Sequence, residues 1–80
     1  MSTVSLNTLL PGERGTVQRI NSTLTNVRQR LLEMGLIRGT PIELVRFAPM
    51  GDPIEVQVRG YRLSLRRLEA EAVIVQKEPR

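Results

Sequence analysis

The chain contains no cysteine, no histidine and no tryptophan, and Phe47 and Tyr61 are its only aromatic residues. Without cysteine there is neither a disulfide framework nor a thiolate metal site, and nothing points to an oxidising compartment. Without histidine the commonest general base and the best imidazole ligand are gone, so Ser5, Ser22 and Ser64 have no partner to activate them. The single lysine, Lys77, lies in a polar C-terminal stretch where desolvation is hard to arrange. No enzyme is expected. Long apolar runs are absent too: Ala72–Val75 is far short of the roughly 20 residues of a membrane span. The N-terminus lacks a basic region followed by an apolar one, so no targeting segment is read and the cytoplasm is the expected location.

What the chain has is arginine. Its formal charge is +4 over 80 residues, with a pI near 11.1. Eleven of its twelve basic residues are arginine, spread along the whole sequence and interspersed with eight carboxylates. Such a balance fits either an acidic partner or a solvated surface. Nucleic acid is one candidate partner, because Arg59, Arg62 and Arg66 can share a hairpin face. Against it stand the two aromatics, too few to build a stacking platform, and Glu55 inside the same patch. The glycines each sit at a plausible turn, and none opens a helix as a phosphate-binding loop does. Glu43, Asp52 and Glu55 are isolated acids and Glu69 and Glu71 read as ordinary surface acids, so neither a metal nor a cofactor is expected.

Eighty residues make one domain, 1–80, able to bury roughly 60% of its unfolded surface around one core. Met1 to Thr8 reads as a frayed start with a short helical turn. Thr16–Ile20 reads as a first strand, and the unequal parity of Val17 and Ile20 requires a bulge or a strand end. Thr23 or Thr25 is placed to cap a helix that ends near Met34, with Gly35 as its left-handed C′ residue. Leu24, Val27, Leu31 and Met34 form its apolar stripe. Leu32 lies off that stripe and Leu36 and Ile37 follow the cap, so these three either fill the barrel's open end or face a partner. Ile42–Ala48 reads as a strand, Arg67–Glu71 as one helical or 3-10 turn and Ala72–Gln76 as a last strand. Mainly β with one helix, the pattern predicts a small SH3-like β-barrel of about five strands, with an OB-like barrel as the alternative.

Residues 46–67 form the predicted central hairpin. If Gly60 and Tyr61 are the two loop residues of a type II′ turn, Arg59 faces Arg62, Val58 faces Leu63, Val56 faces Leu65 and Glu55 faces Arg66. Val56, Val58, Leu63 and Leu65 then share one face, and a slip of one residue would turn one strand's apolar set outward. The Arg59/Arg62 pair is a local like-charge conflict.

The run Val27-Arg28-Gln29-Arg30-Leu31-Leu32-Glu33-Met34-Gly35-Leu36-Ile37-Arg38-Gly39-Thr40, with Val45-Arg46-Phe47-Ala48-Pro49-Met50-Gly51-Asp52-Pro53-Ile54 and Arg62-Leu63-Ser64-Leu65-Arg66, resembles the FeoA family of ferrous-iron transport accessory proteins. Met34 and Met50 stand where leucine is common in that pattern, a volume-conserving change. The resemblance implies a cytoplasmic SH3-like protein that binds and regulates or assembles the membrane transporter FeoB through its cytoplasmic, GTPase-containing region. It also implies recruitment to the inner face of the membrane by that partner. On this reading the end of the helix and the adjacent turn dock on the transporter. Leu32, Leu36, Ile37 and Met50 supply apolar contacts, Asp52 lies in the turn, and Arg46, Arg59 and Arg62 meet acidic groups at the rim. A monomer is the default. The alternatives are a basic nucleic-acid-binding barrel and a generic SH3-like peptide-binding module, for whose groove two aromatics are too few.

Overall fold

The alternating segments become strands and the three- and four-residue apolar spacing becomes a helix in a computed structural model, which describes residues 3–79. In chain order the elements are β1 (Thr3–Ser5), a 3-10 turn (Leu6–Thr8), β2 (Arg14–Ile20), α1 (Thr25–Glu33), β3 (Pro41–Phe47), β4 (Ile54–Val58), β5 (Tyr61–Leu65), α2 (Arg67–Ala72) and β6 (Val73–Lys77). The strands pair antiparallel in the order β1-β6-β2-β3-β4-β5. Among the described residues there are thus six strands where about five were expected. The sheet curls without closing, so β1 and β5 remain edges and the barrel is only approximate. The unanticipated strand is β1. Its one apolar residue, Val4, gives no alternation to read, and it joins the sheet through its register with β6.

Bulges let two strands keep their apolar residues inside. Val17 pairs with Val75 and Arg19 with Ile74, which leaves Gln18 as the extra residue. Val17 and Ile20 both point inward as a result, and both are buried. The same device lies between Leu44 and Arg46 in β3, where Val45 is the extra residue. At Gly15 the strands approach so closely that a Cβ would lie 2.8 Å from the Gln76 carbonyl oxygen. The core forms inside the curled sheet from Leu6, Leu9, Val17, Leu44, Ile54, Val56, Leu65 and Val75, closed over by Leu31 of α1 and Ala70 of α2.

The hairpin forms, but its turn sits one residue earlier than expected. Val58 pairs with Tyr61, so Arg59 and Gly60 are the loop residues, with Gly60 at φ 72°. Only the second loop position needs positive φ, as in a type II turn, whereas the expected turn needed it at the first. The register therefore moves by two: Gln57 faces Arg62, Val56 faces Leu63, Glu55 faces Ser64 and Ile54 faces Leu65. A shift of two preserves the faces, so alternation alone does not distinguish the two registers. The Arg59/Arg62 conflict disappears. Arg62 instead bonds Gln57 Oε1 at 3.1 Å and the Glu55 carboxylate at 3.2 Å.

The helices are held by side chains other than the expected threonine caps. Leu24 is the N-cap position of α1 and makes no side-chain cap bond; Ser22 Oγ accepts from the Leu24 N–H at 3.1 Å. Arg28 donates to the Ile20 carbonyl at 2.8 Å and ties the helix to the end of β2. On the stripe, Leu31 is buried and Val27 and Met34 are half-buried, while Leu24 stays exposed. In α2, Glu69 is a buried acid, not the surface one expected. Its Oε1 accepts from the Arg66 N–H at 2.9 Å, half of a capping box, and its Oε2 meets Arg30 Nη1 at 3.0 Å.

Candidate functional site

The C-terminus of α1 ends in a Schellman motif. The Leu36 N–H reaches the Leu31 carbonyl at 3.2 Å and the Gly35 N–H reaches the Leu32 carbonyl at 3.0 Å, with Gly35 at φ 92°. This pattern satisfies carbonyls that would otherwise be orphaned at the helix end. The hydroxyl of Tyr61, at the start of β5, donates to the Met34 carbonyl. It occupies the space where a Cβ on residue 35 would fall, at 2.8 Å. Thr40 Oγ1 closes the loop by donating to the Gly35 carbonyl at 3.2 Å. Helix end and hairpin tip are thus one joined structure.

That structure sorts the expected docking residues. Leu36 is fully buried, so it belongs to the core and supplies no surface contact. The Schellman motif is the reason, because its C″ side chain packs back toward the helix position whose carbonyl its N–H reaches. Leu32, Ile37 and Tyr61 are exposed at 39%, 54% and 44%, on either side of the cap and at the hairpin tip that closes it. Tyr61 was missed in sequence because the expected turn placed it in a loop. Met50 is 91% exposed in the turn between β3 and β4, away from α1 in the chain. Asp52 in the same turn uses Oδ1 to accept from the Arg67 N–H at 3.1 Å, so it supports the first turn of α2. Of the three rim arginines, Arg62 is held by Glu55 and Gln57, Arg59 stands at the exposed loop and Arg46 lies opposite Glu55 on β3.

A second apolar feature was not anticipated. A groove of about 700 Å³ runs between α1 and α2, lined among others by Leu24, Val27, Arg30, Arg66, Leu68 and Ala72. Leu68 is 80% exposed. In sequence it sits among charged residues in a six-residue helix, too short to define a face. Among the described residues no three carboxylates come together as a metal-ligand group. None of their helices is long and apolar enough to cross a membrane. The surface offers apolar side chains beside guanidinium groups, which suits binding.

A model of the FeoA domain matches residues 4–77. The chain belongs to the FeoA domain family. This is a family of ferrous-iron transport accessory domains. The FeoA-like protein of Clostridium acetobutylicum superposes with a TM-score of 0.90 at 36% identity, covering 100% of this chain and 92% of that one. The FeoA of Stenotrophomonas maltophilia, solved in complex with zinc and described as a prokaryotic SH3 domain protein, superposes at 0.80 with 30% identity, covering 100% and 99%. The fold here is accordingly SH3-like. In sequence, the chain is 34% identical over 71 residues to a Porphyromonas gingivalis fusion of Fe(2+) transport protein A with the Fe(2+) transporter FeoB. That stretch is 89% of this FeoA chain but 8% of the fusion.

Proposed function

We propose that this chain is a cytoplasmic accessory protein of bacterial ferrous-iron uptake that docks on the GTPase-containing cytoplasmic region of a FeoB transporter and regulates or assembles it. The observation that carries the reading is the Porphyromonas gingivalis relative, in which an FeoA segment similar to this chain is covalently joined to FeoB. Fusion keeps the two at high effective concentration, which is useful when they act on one another. The residue chemistry agrees: with no histidine or cysteine, this chain is poorly equipped to carry or relay iron itself.

The docking surface is Leu32, Ile37 and Tyr61 around the α1 cap, with Arg59 at its rim. A small apolar centre with a guanidinium at its edge is the arrangement of an interface hot spot with electrostatic steering. The test is the double substitution Leu32→Glu and Ile37→Glu, with circular dichroism to confirm folding and interferometry against the FeoB cytoplasmic region from the same cell. Binding should weaken by at least about 2 kcal/mol, or roughly 30-fold. Unchanged binding by the folded variant would remove this surface. Absence of wild-type binding to FeoB, with nucleic acid co-purifying instead, would remove the function.

A further inference from the structure

The free edge of β5 carries a second kind of site. Val58 and Tyr61 flank a two-residue loop, so they form a hydrogen-bonded pair, and the alternation of the antiparallel ladder follows from there. Leu63 and Leu65 turn their backbone groups toward β4, while Arg62 and Ser64 turn theirs away. Among the described residues, no backbone group of Arg62 or Ser64 takes a hydrogen bond from outside the β4–β5 pair. Nor does another strand cover them, because β5 ends the sheet. The other edge, β1, is only three residues long and lies against α2.

Charge decides what can pair there. Arg59 precedes β5, Arg62 lies within it and Arg66 follows it, and only Arg62 has a carboxylate partner, Glu55. Arg59 and Arg66 form no ion pair among the described residues. Pairing with β5 of a second copy would bring two sets of these arginines together, which is unfavourable. An acidic strand reverses that sign. On the inner side of the same strand, Tyr61 is 44% exposed and Leu63 is half-buried, leaving apolar surface for alternate side chains to extend.

We infer that the β5 edge accepts an extended acidic segment of a protein partner as an added antiparallel strand, held by the backbone groups of Arg62 and Ser64 and selected by Arg59 and Arg66. This site adjoins the surface around the α1 cap and shares Arg59 and Tyr61 with it, but its backbone groups lie on β5 and it does not depend on the transporter reading. Synthetic peptides can therefore test it alone.

The probe is a fluorescein-labelled heptapeptide alternating glutamate and valine, titrated by polarisation at low and high salt. Saturable binding that weakens with salt is expected, with downfield shifts of the Arg62 and Ser64 amide protons in the NMR spectrum. A peptide N-methylated at alternate positions, which lacks the donors and crowds the edge, should bind at least about tenfold more weakly. Ser64→Pro removes an N–H that faces solvent and leaves the β4 ladder intact, so the variant should fold and lose affinity by a similar factor. Arg59→Glu with Arg66→Glu should also weaken binding. No saturable binding at low salt overturns the inference, as does equal binding by the N-methylated peptide. If Ser64→Pro fails to fold, the comparison of the two peptides on the wild-type chain decides.

Discussion

Replacing Gly35 with alanine tests the joint between α1 and the β4–β5 hairpin. Two costs add. At φ 92° an L side chain is strained by about 1–2 kcal/mol. The new Cβ would also meet the Tyr61 hydroxyl at 2.8 Å, displacing it from the Met34 carbonyl and forfeiting about 1 kcal/mol of hydrogen bonding. The total is about 2–3 kcal/mol, against a stability of about 4–12 kcal/mol for a chain of this length. Urea titration and thermal melting by circular dichroism should report that loss, the latter as a fall of about 10–20 °C. Tyr61→Phe alone removes the oxygen and should cost about 1 kcal/mol. In that background the clash is gone, so Gly35→Ala should cost only its backbone strain, and the double-mutant cycle should show about 1 kcal/mol of coupling. A cost for Gly35→Ala below about 0.5 kcal/mol, or strictly additive substitutions, would refute the joint.

Leu36→Ala should cost about 2–5 kcal/mol because the side chain is fully buried, while Ile37→Ala, at 54% exposure, should change stability by less than about 0.5 kcal/mol in the same urea titrations. Gly15→Ala should destabilise by about 1–3 kcal/mol, since its Cβ would press on the rigid Gln76 carbonyl of β6; hydrogen exchange should show the β2–β6 amides losing protection first. Glu69→Ala strands the Arg66 N–H and the Arg30 guanidinium, for about 1–3 kcal/mol by denaturant titration, whereas exposed Glu71→Ala should be near neutral.

Where apolar spacing repeated, local sequence was informative. Parity along Thr16–Ile20 called for a bulge or a strand end, and the structure has the bulge, which lets Val17 and Ile20 both reach the core. The same clue existed in β3, where Leu44 and Arg46 register on either side of an extra residue, but Phe47 is only half-buried and makes the signal weaker. The hairpin faces were legible and the register was not. Glycine supplies positive φ at either loop position, and registers two apart bury the same residues. Of the residues expected to dock, Ile37 and Leu36 are neighbours of similar hydrophobicity, yet Ile37 is exposed and Leu36 is buried. That difference is set by the Schellman geometry, which turns Leu36 inward beside Leu31.

Sequence alone determined the classes of chemistry disfavoured by missing histidine and cysteine, the position of the helix and its glycine stop, most of the strands, and a motif pattern specific enough to indicate the FeoA family. These depend on residue type and short-range spacing, which survive without knowledge of the partners across the fold. Tertiary structure decided the addition of β1, the open sheet, the burial of Glu69 and the meeting of Tyr61 with the end of α1. Each of these is a long-range pairing, such as Tyr61 with Met34 or Arg30 with Glu69. Local sequence carries no record of which distant backbone group will lie within hydrogen-bond reach, because packing of the whole core sets that distance.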